Sequence, residues 1–108
     1  MNLPELIREV NNEAKRTFPD ARFIILEDLF FYHKTRIILE NNQFIEVRIN
    51  SMNERISYAL VYSGKRIAGF DHLAKWHMHP IKNPETHRKI SAPTPRYVFD
   101  YFAKAVKR

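Results

Sequence analysis

At 108 residues the chain is long enough for one domain with one core, residues 1–108, and too short for two. Hydrophobic residues make up 44% and aromatics 13%, a composition that buries a core rather than staying disordered, and the lack of cysteine excludes a disulfide framework, a thiol nucleophile and a thiolate zinc site. The net charge of +6 is unevenly spread: residues 1–64 hold 8 Lys/Arg against 9 Asp/Glu, and residues 65–108 hold 10 against 3.

That basic C-terminal part points to a polyanion partner. Residues 1–5 carry neither a cationic flank nor an apolar run, and no stretch approaches the roughly 18 apolar residues of a membrane span. A cytoplasmic, untargeted protein without a membrane partner is expected, in keeping with the absence of cysteine.

In chain order, Leu3, Leu6, Ile7, Val10, Ala14 and Phe18 recur at spacings of three and four, which predicts an amphipathic helix capped by Asn2 and ended by Pro19-Asp20. Phe23-Ile24-Ile25-Leu26 reads as a short strand. Glu27-Asp28 then interrupts the apolar run, as at a bulge or bend, before Leu29-Phe30-Phe31-Tyr32 resumes it. As a carboxylate pair for acid–base work Glu27 and Asp28 are set aside. Ile37 and Leu39 share a face, Asn41-Asn42 supplies a turn whose residues tolerate positive φ, and Ile45, Val47 and Ile49 share the next face. Ile56, Tyr58, Leu60 and Tyr62 follow, then a turn at Ser63-Gly64-Lys65 into Arg66–Phe70. Thr94-Pro95 opens a last helix with the stripe Tyr97, Val98, Tyr101, Phe102, Ala105 and Val106. The expected fold is α+β: an antiparallel meander of four or five strands with an N-terminal and a C-terminal helix packed on one face, and Phe44, Glu46 and Arg48 on the other.

Four of the five histidines lie in the stretch from Asp71 to His87. If Trp76–His79 is extended, as the proline at position 80 favours, the two-residue period puts Trp76 and Met78 on the packing side and His77 and His79 on the free side. A metal site would need all its ligands from His, Asp71 or Glu85, so no metal and no cofactor are expected. Histidines beside cations also suit phosphodiester chemistry, one imidazole taking a proton from a ribose 2′-hydroxyl and another protonating the leaving oxygen. The candidate catalytic residues are His77, His79, His72 and Asp71. The candidate phosphate-binding cations are Arg66, Lys75, Lys82, Arg88 and Lys89.

The run from Gly64-Lys65 through Phe70-Asp71-His72 and Trp76-His77-Met78-His79-Pro80 to His87 resembles the TumE family, small toxin components of prokaryotic toxin–antitoxin pairs. The likeness covers about residues 35–90: a strand meander, an aromatic-Asp motif, then a His/Pro-rich stretch. Many members have adjacent histidines and more prolines there; here Met78 separates the pair. The resemblance implies a toxin-like protein with a cognate antitoxin as partner. With the residue chemistry, this leads to the expectation of a component acting on RNA as a metal-independent ribonuclease, with a homodimer compatible. The alternative expectation is a non-catalytic nucleic-acid-binding or antitoxin-docking module with structural histidines.

Overall fold

The structure, a computed structural model, describes all of residues 1–108. Helix α1 (Leu3–Thr17) is followed by seven strands, β1 (Arg22–Asp28), β2 (Tyr32–Ile38), β3 (Gln43–Asn50), β4 (Arg55–Tyr62), β5 (Lys65–Leu73), β6 (Lys75–His79) and β7 (Arg88–Lys89), and then by α2 (Pro95–Ala105). The strands form one antiparallel meander in chain order, so each is hydrogen-bonded to its sequence neighbours. The expected α+β architecture is what the chain adopts. There are seven strands rather than four or five: Arg22–Glu40 folds into two, and β6 and the two-residue β7 extend the far edge.

Both helices begin as their sequences dictate. The Asn2 side chain accepts from the Glu5 amide at 3.0 Å, and the Thr94 hydroxyl accepts from the Tyr97 amide at 3.1 Å, each satisfying an amide that the helix leaves without a partner. The helices pack together on one face of the sheet, and Arg16 ties them by donating to Asp100 at 2.6 Å. Beneath them lies the core. Val10 and Ala14 of α1 and Val98, Phe99 and Phe102 of α2 meet Ile37, Ile45, Val47, Ile49, Leu60, Phe70 and Met78 of the strands. Phe70 is its centre, edge-on to Tyr97, Tyr101 and Phe102 at ring separations of 5.5–6.0 Å. The opposite face of the sheet carries no helix.

The turns follow from residues that accept positive φ. Asn41 and Asn42 both sit at φ 59° between β2 and β3, and Ser63 (φ 48°) with Gly64 (φ 80°) joins β4 to β5. Ser63-Gly64 has the twist that a two-residue hairpin turn requires, whereas Asn41 and Asn42 belong to a three-residue connection, Glu40–Asn42, closed by the Leu39 amide donating to the Gln43 carbonyl at 3.0 Å. The register of β1 on β2 slips between Ile25 and Glu27, so the apolar interruption is a β-bulge at Leu26. No helix is long and apolar enough to cross a membrane.

Candidate nucleic-acid interface

Opposed residues in an antiparallel ladder point to the same side of the sheet, so the register maps the helix-free face directly. One row crosses six strands as Lys34, Arg48, Ser57, Asp71, His77 and Lys89; the row beside it runs Arg36, Glu46, Ala59, Gly69 and His79. The two-residue period therefore separates His77 and His79 from Trp76 and Met78 as expected. The two histidines nevertheless differ. His77 is half-buried, whereas His79 is only 1% exposed, because residues 80–87 fold back over it.

That segment is built from short-range bonds. The Asn83 amide donates to the Pro80 carbonyl at 3.0 Å, the Thr86 amide and hydroxyl donate to the Asn83 carbonyl at 3.1 and 2.8 Å, and the Ile81 amide donates to the Tyr101 hydroxyl of α2 at 3.0 Å. The turns deliver His87 onto His79, ring centroids 4.3 Å apart, and to within 5.9 Å of His77.

Both ring nitrogens of His79 are engaged. Its Nδ1 lies 3.1 Å from Arg66 Nη2, which can only donate, and 3.1 Å from the Pro84 carbonyl oxygen, which can only accept. The same carbonyl also accepts from Arg66 Nη2 at 3.5 Å. Nε2 donates to Asp71 Oδ2 at 2.9 Å. Asp71, His79 and Arg66 thus form a closed chain with no ring nitrogen to spare. Neither ring of His77 or His87 bonds to a protein group, and His87 is exposed.

His72 does not join them. It stands opposite Ile56 and Trp76 on the helix side, where its Nδ1 donates to the Glu54 carbonyl at 2.7 Å and its ring lies 5.2 Å from that of Trp76. His33, also on the helix side, is buried against Thr35 Oγ1 at 2.9 Å. Of the expected cations, Lys75 and Lys89 lie on the helix-free face, Lys82 lies on the connecting turn, and Arg66 is drawn onto His79. Arg88 turns to the helix side, donating to Met78 Sδ at 3.0 Å. Sequence reasoning counted His87 in the histidine stretch without naming it a catalytic candidate, and of the cations of β2–β4 it placed only Arg48 on the helix-free face and named none as phosphate-binding. The signal was present: Lys34 and Arg36, and Glu46 and Arg48, alternate with core residues on strands whose apolar face was already evident.

Those cations are organised by one carboxylate. Glu46 accepts from Arg36 at 2.8 Å and from Arg48 at 2.9 Å, with Lys34 Nζ at 4.0 Å. Burial pushes the Glu46 carboxyl up, but the hydrogen bonds from Arg36 and Arg48, with the Arg48 and Lys34 charges, outweigh it and hold the group below its ordinary value. The Arg36 guanidinium also lies over the Phe44 ring at 4.2 Å. No three His, Asp or Glu side chains converge as a metal-ligand set. No protein-family model, curated protein or solved structure matches the chain.

Proposed function

We propose that this protein is the toxin-like component of a prokaryotic toxin–antitoxin system and acts on single-stranded RNA as a metal-independent ribonuclease. One observation carries the reading: His77 and His87, their ring nitrogens unbonded, stand 5.9 Å apart on a cationic sheet edge beside the Asp71–His79–Arg66 chain. At that spacing both rings can reach one phosphodiester laid across their exposed edges. One imidazole takes the proton of the 2′-hydroxyl as its oxygen attacks the adjacent phosphorus; the other gives a proton to the departing 5′-oxygen, leaving a 2′,3′-cyclic phosphate. Lys89, in register with His77, offsets the charge that builds on the phosphorane oxygens. His79 is a positioning residue here, not the acid or base, because Asp71 and Arg66 occupy both its nitrogens. A cognate antitoxin that covered these cations would block the RNA.

The test is cleavage of labelled single-stranded RNA in the presence of chelator. Wild type should produce cyclic phosphate ends with a rate that passes through a maximum in pH, because one imidazole must be neutral while the other is protonated. His77→Ala and His87→Ala should each lose about 100-fold or more. The second reading, a binding module with structural histidines, is favoured by the complete engagement of His79. It becomes the account if wild type binds RNA and cuts none at any pH.

A further inference from the structure

Three strands away from the histidines, on the same face, Tyr32, Arg48, Asn50, Asn53, Arg55 and Ser57 line a cavity of about 180 Å³. No carboxylate is among them. Asn50 Oδ1 accepts from the Met52 and Asn53 amides at 3.0 and 3.4 Å, and Asn53 Oδ1 accepts from the Arg55 amide at 3.1 Å. A backbone N–H can only donate, so both side-chain oxygens are committed to the β3–β4 turn, and both Nδ2 groups are left as donors without a protein acceptor. The Arg55 side chain bonds no protein group, and Arg48 spends one nitrogen on Glu46. With the Tyr32 and Ser57 hydroxyls, the cavity offers many donors, and the oxygens of its two amide side chains are already taken. Its chemistry is that of an oxyanion receptor.

The register ties this cavity to the histidines. Arg48, Ser57, Asp71 and His77 are consecutive members of one cross-strand row. With strands about 4.8 Å apart, Arg48 and His77 are separated by about 14 Å. We propose that the cavity binds a backbone phosphate of the same RNA strand, a few nucleotides from the bond that His77 and His87 reach, so that the strand crosses the sheet perpendicular to its strands. This rests on the ribonuclease reading and adds a phosphate subsite that fixes the direction in which the RNA lies.

A dodecamer of 2′-O-methyl RNA, which lacks the attacking hydroxyl, isolates binding from cleavage. Arg55→Gln should weaken it about tenfold, as loss of a charge-assisted hydrogen bond implies, and lower the slope of log affinity against log salt by about 0.7. Arg8→Gln, which removes an exposed charge from α1 on the helix side, should leave both unchanged. In parallel, inorganic phosphate titrated into labelled wild-type protein should shift the Asn50 and Asn53 Nδ2 resonances. If the dodecamer binds wild type and Arg55→Gln alike, or if Arg8→Gln weakens it equally, the subsite is overturned while the RNA reading stands. If phosphate moves those resonances but wild type binds no dodecamer at low salt, the cavity takes free phosphate only and both the strand path and the RNA reading fall.

Discussion

Gly69 decides whether the site can form. It lies between Ala59 and His79 in the cross-strand row, and the Arg66 stem passes over it to reach the His79 ring. A Cβ there would stand 2.9 Å from the Tyr58 carbonyl oxygen and 3.3 Å from Arg66 Cδ. The carbonyl belongs to the β4 backbone and cannot retreat without disturbing the ladder; the arginine stem can move, but only by leaving His79. Replacing glycine in a strand ordinarily gains about 0.4–1 kcal/mol through the unfolded chain, and the clash should exceed that. Gly69→Ala is expected to cost about 1–3 kcal/mol net in urea unfolding. In the folded fraction the His79 Nδ1 resonance should move as Arg66 withdraws. A variant as stable as wild type with an unchanged His79 spectrum would show that Arg66 reaches the ring by another path.

The elements divide into those whose sequences announce them and those held by context. Both helices, the β2–β3 and β4–β5 turns and the inward faces of β3 and β4 were legible, because caps, positive-φ residues and strict alternation each have a local cause. The β1–β2 hairpin was less legible, since its connection, Leu29-Phe30-Phe31, is apolar and Phe30 is fully exposed where turn residues are ordinarily polar. β1 is also an edge strand with Ile24, Ile25 and Leu26 exposed, and the bulge at Leu26 throws its side chains out of phase with any second strand. The burial of His79 was hidden for another reason: it depends on where residues 80–87 return, which no periodicity encodes. Ala74, between β5 and β6, is the plainest case of context overriding propensity. It sits at φ 68° although a Cβ disfavours that region by about 1–2 kcal/mol. Ala74→Gly removes that strain and adds about 0.4–1 kcal/mol of chain entropy to the unfolded state. A net stabilisation of about 0.5–1 kcal/mol should appear as a higher urea midpoint with an unchanged slope; a lower midpoint would mean that the Ala74 methyl makes contacts worth more than its strain.

For the molecule as a whole, charge matters by face and not by stretch of sequence. Residues 1–64 sum to −1, yet they place Lys34, Arg36 and Arg48 on the helix-free face around Glu46, while many of their acids lie on α1 and in turns. Glu46 therefore has two opposed effects. It stabilises the fold by compensating three cations, and it subtracts one charge from the surface offered to RNA. Its carboxyl is held below its ordinary value of 4.5, and that of Asp100, bonded by Arg16 between the helices, below 3.8. A group depressed in the folded state stabilises it fully above the unfolded pKa, and that contribution is lost as pH falls through the folded value. Stability should accordingly hold steady at neutral pH and decline from about pH 5 downward. Glu46→Gln should lower stability near pH 7, flatten part of that acid decline, and tighten RNA binding at low salt because the face gains one net positive charge. Asp100→Asn should flatten the decline as well but leave RNA affinity unchanged, since Asp100 lies in the helix layer. Unfolding curves from pH 3 to pH 7 and RNA titrations on both variants separate the two roles. If Glu46→Gln weakens RNA binding while remaining folded, the helix-free face is not where the polyanion lies.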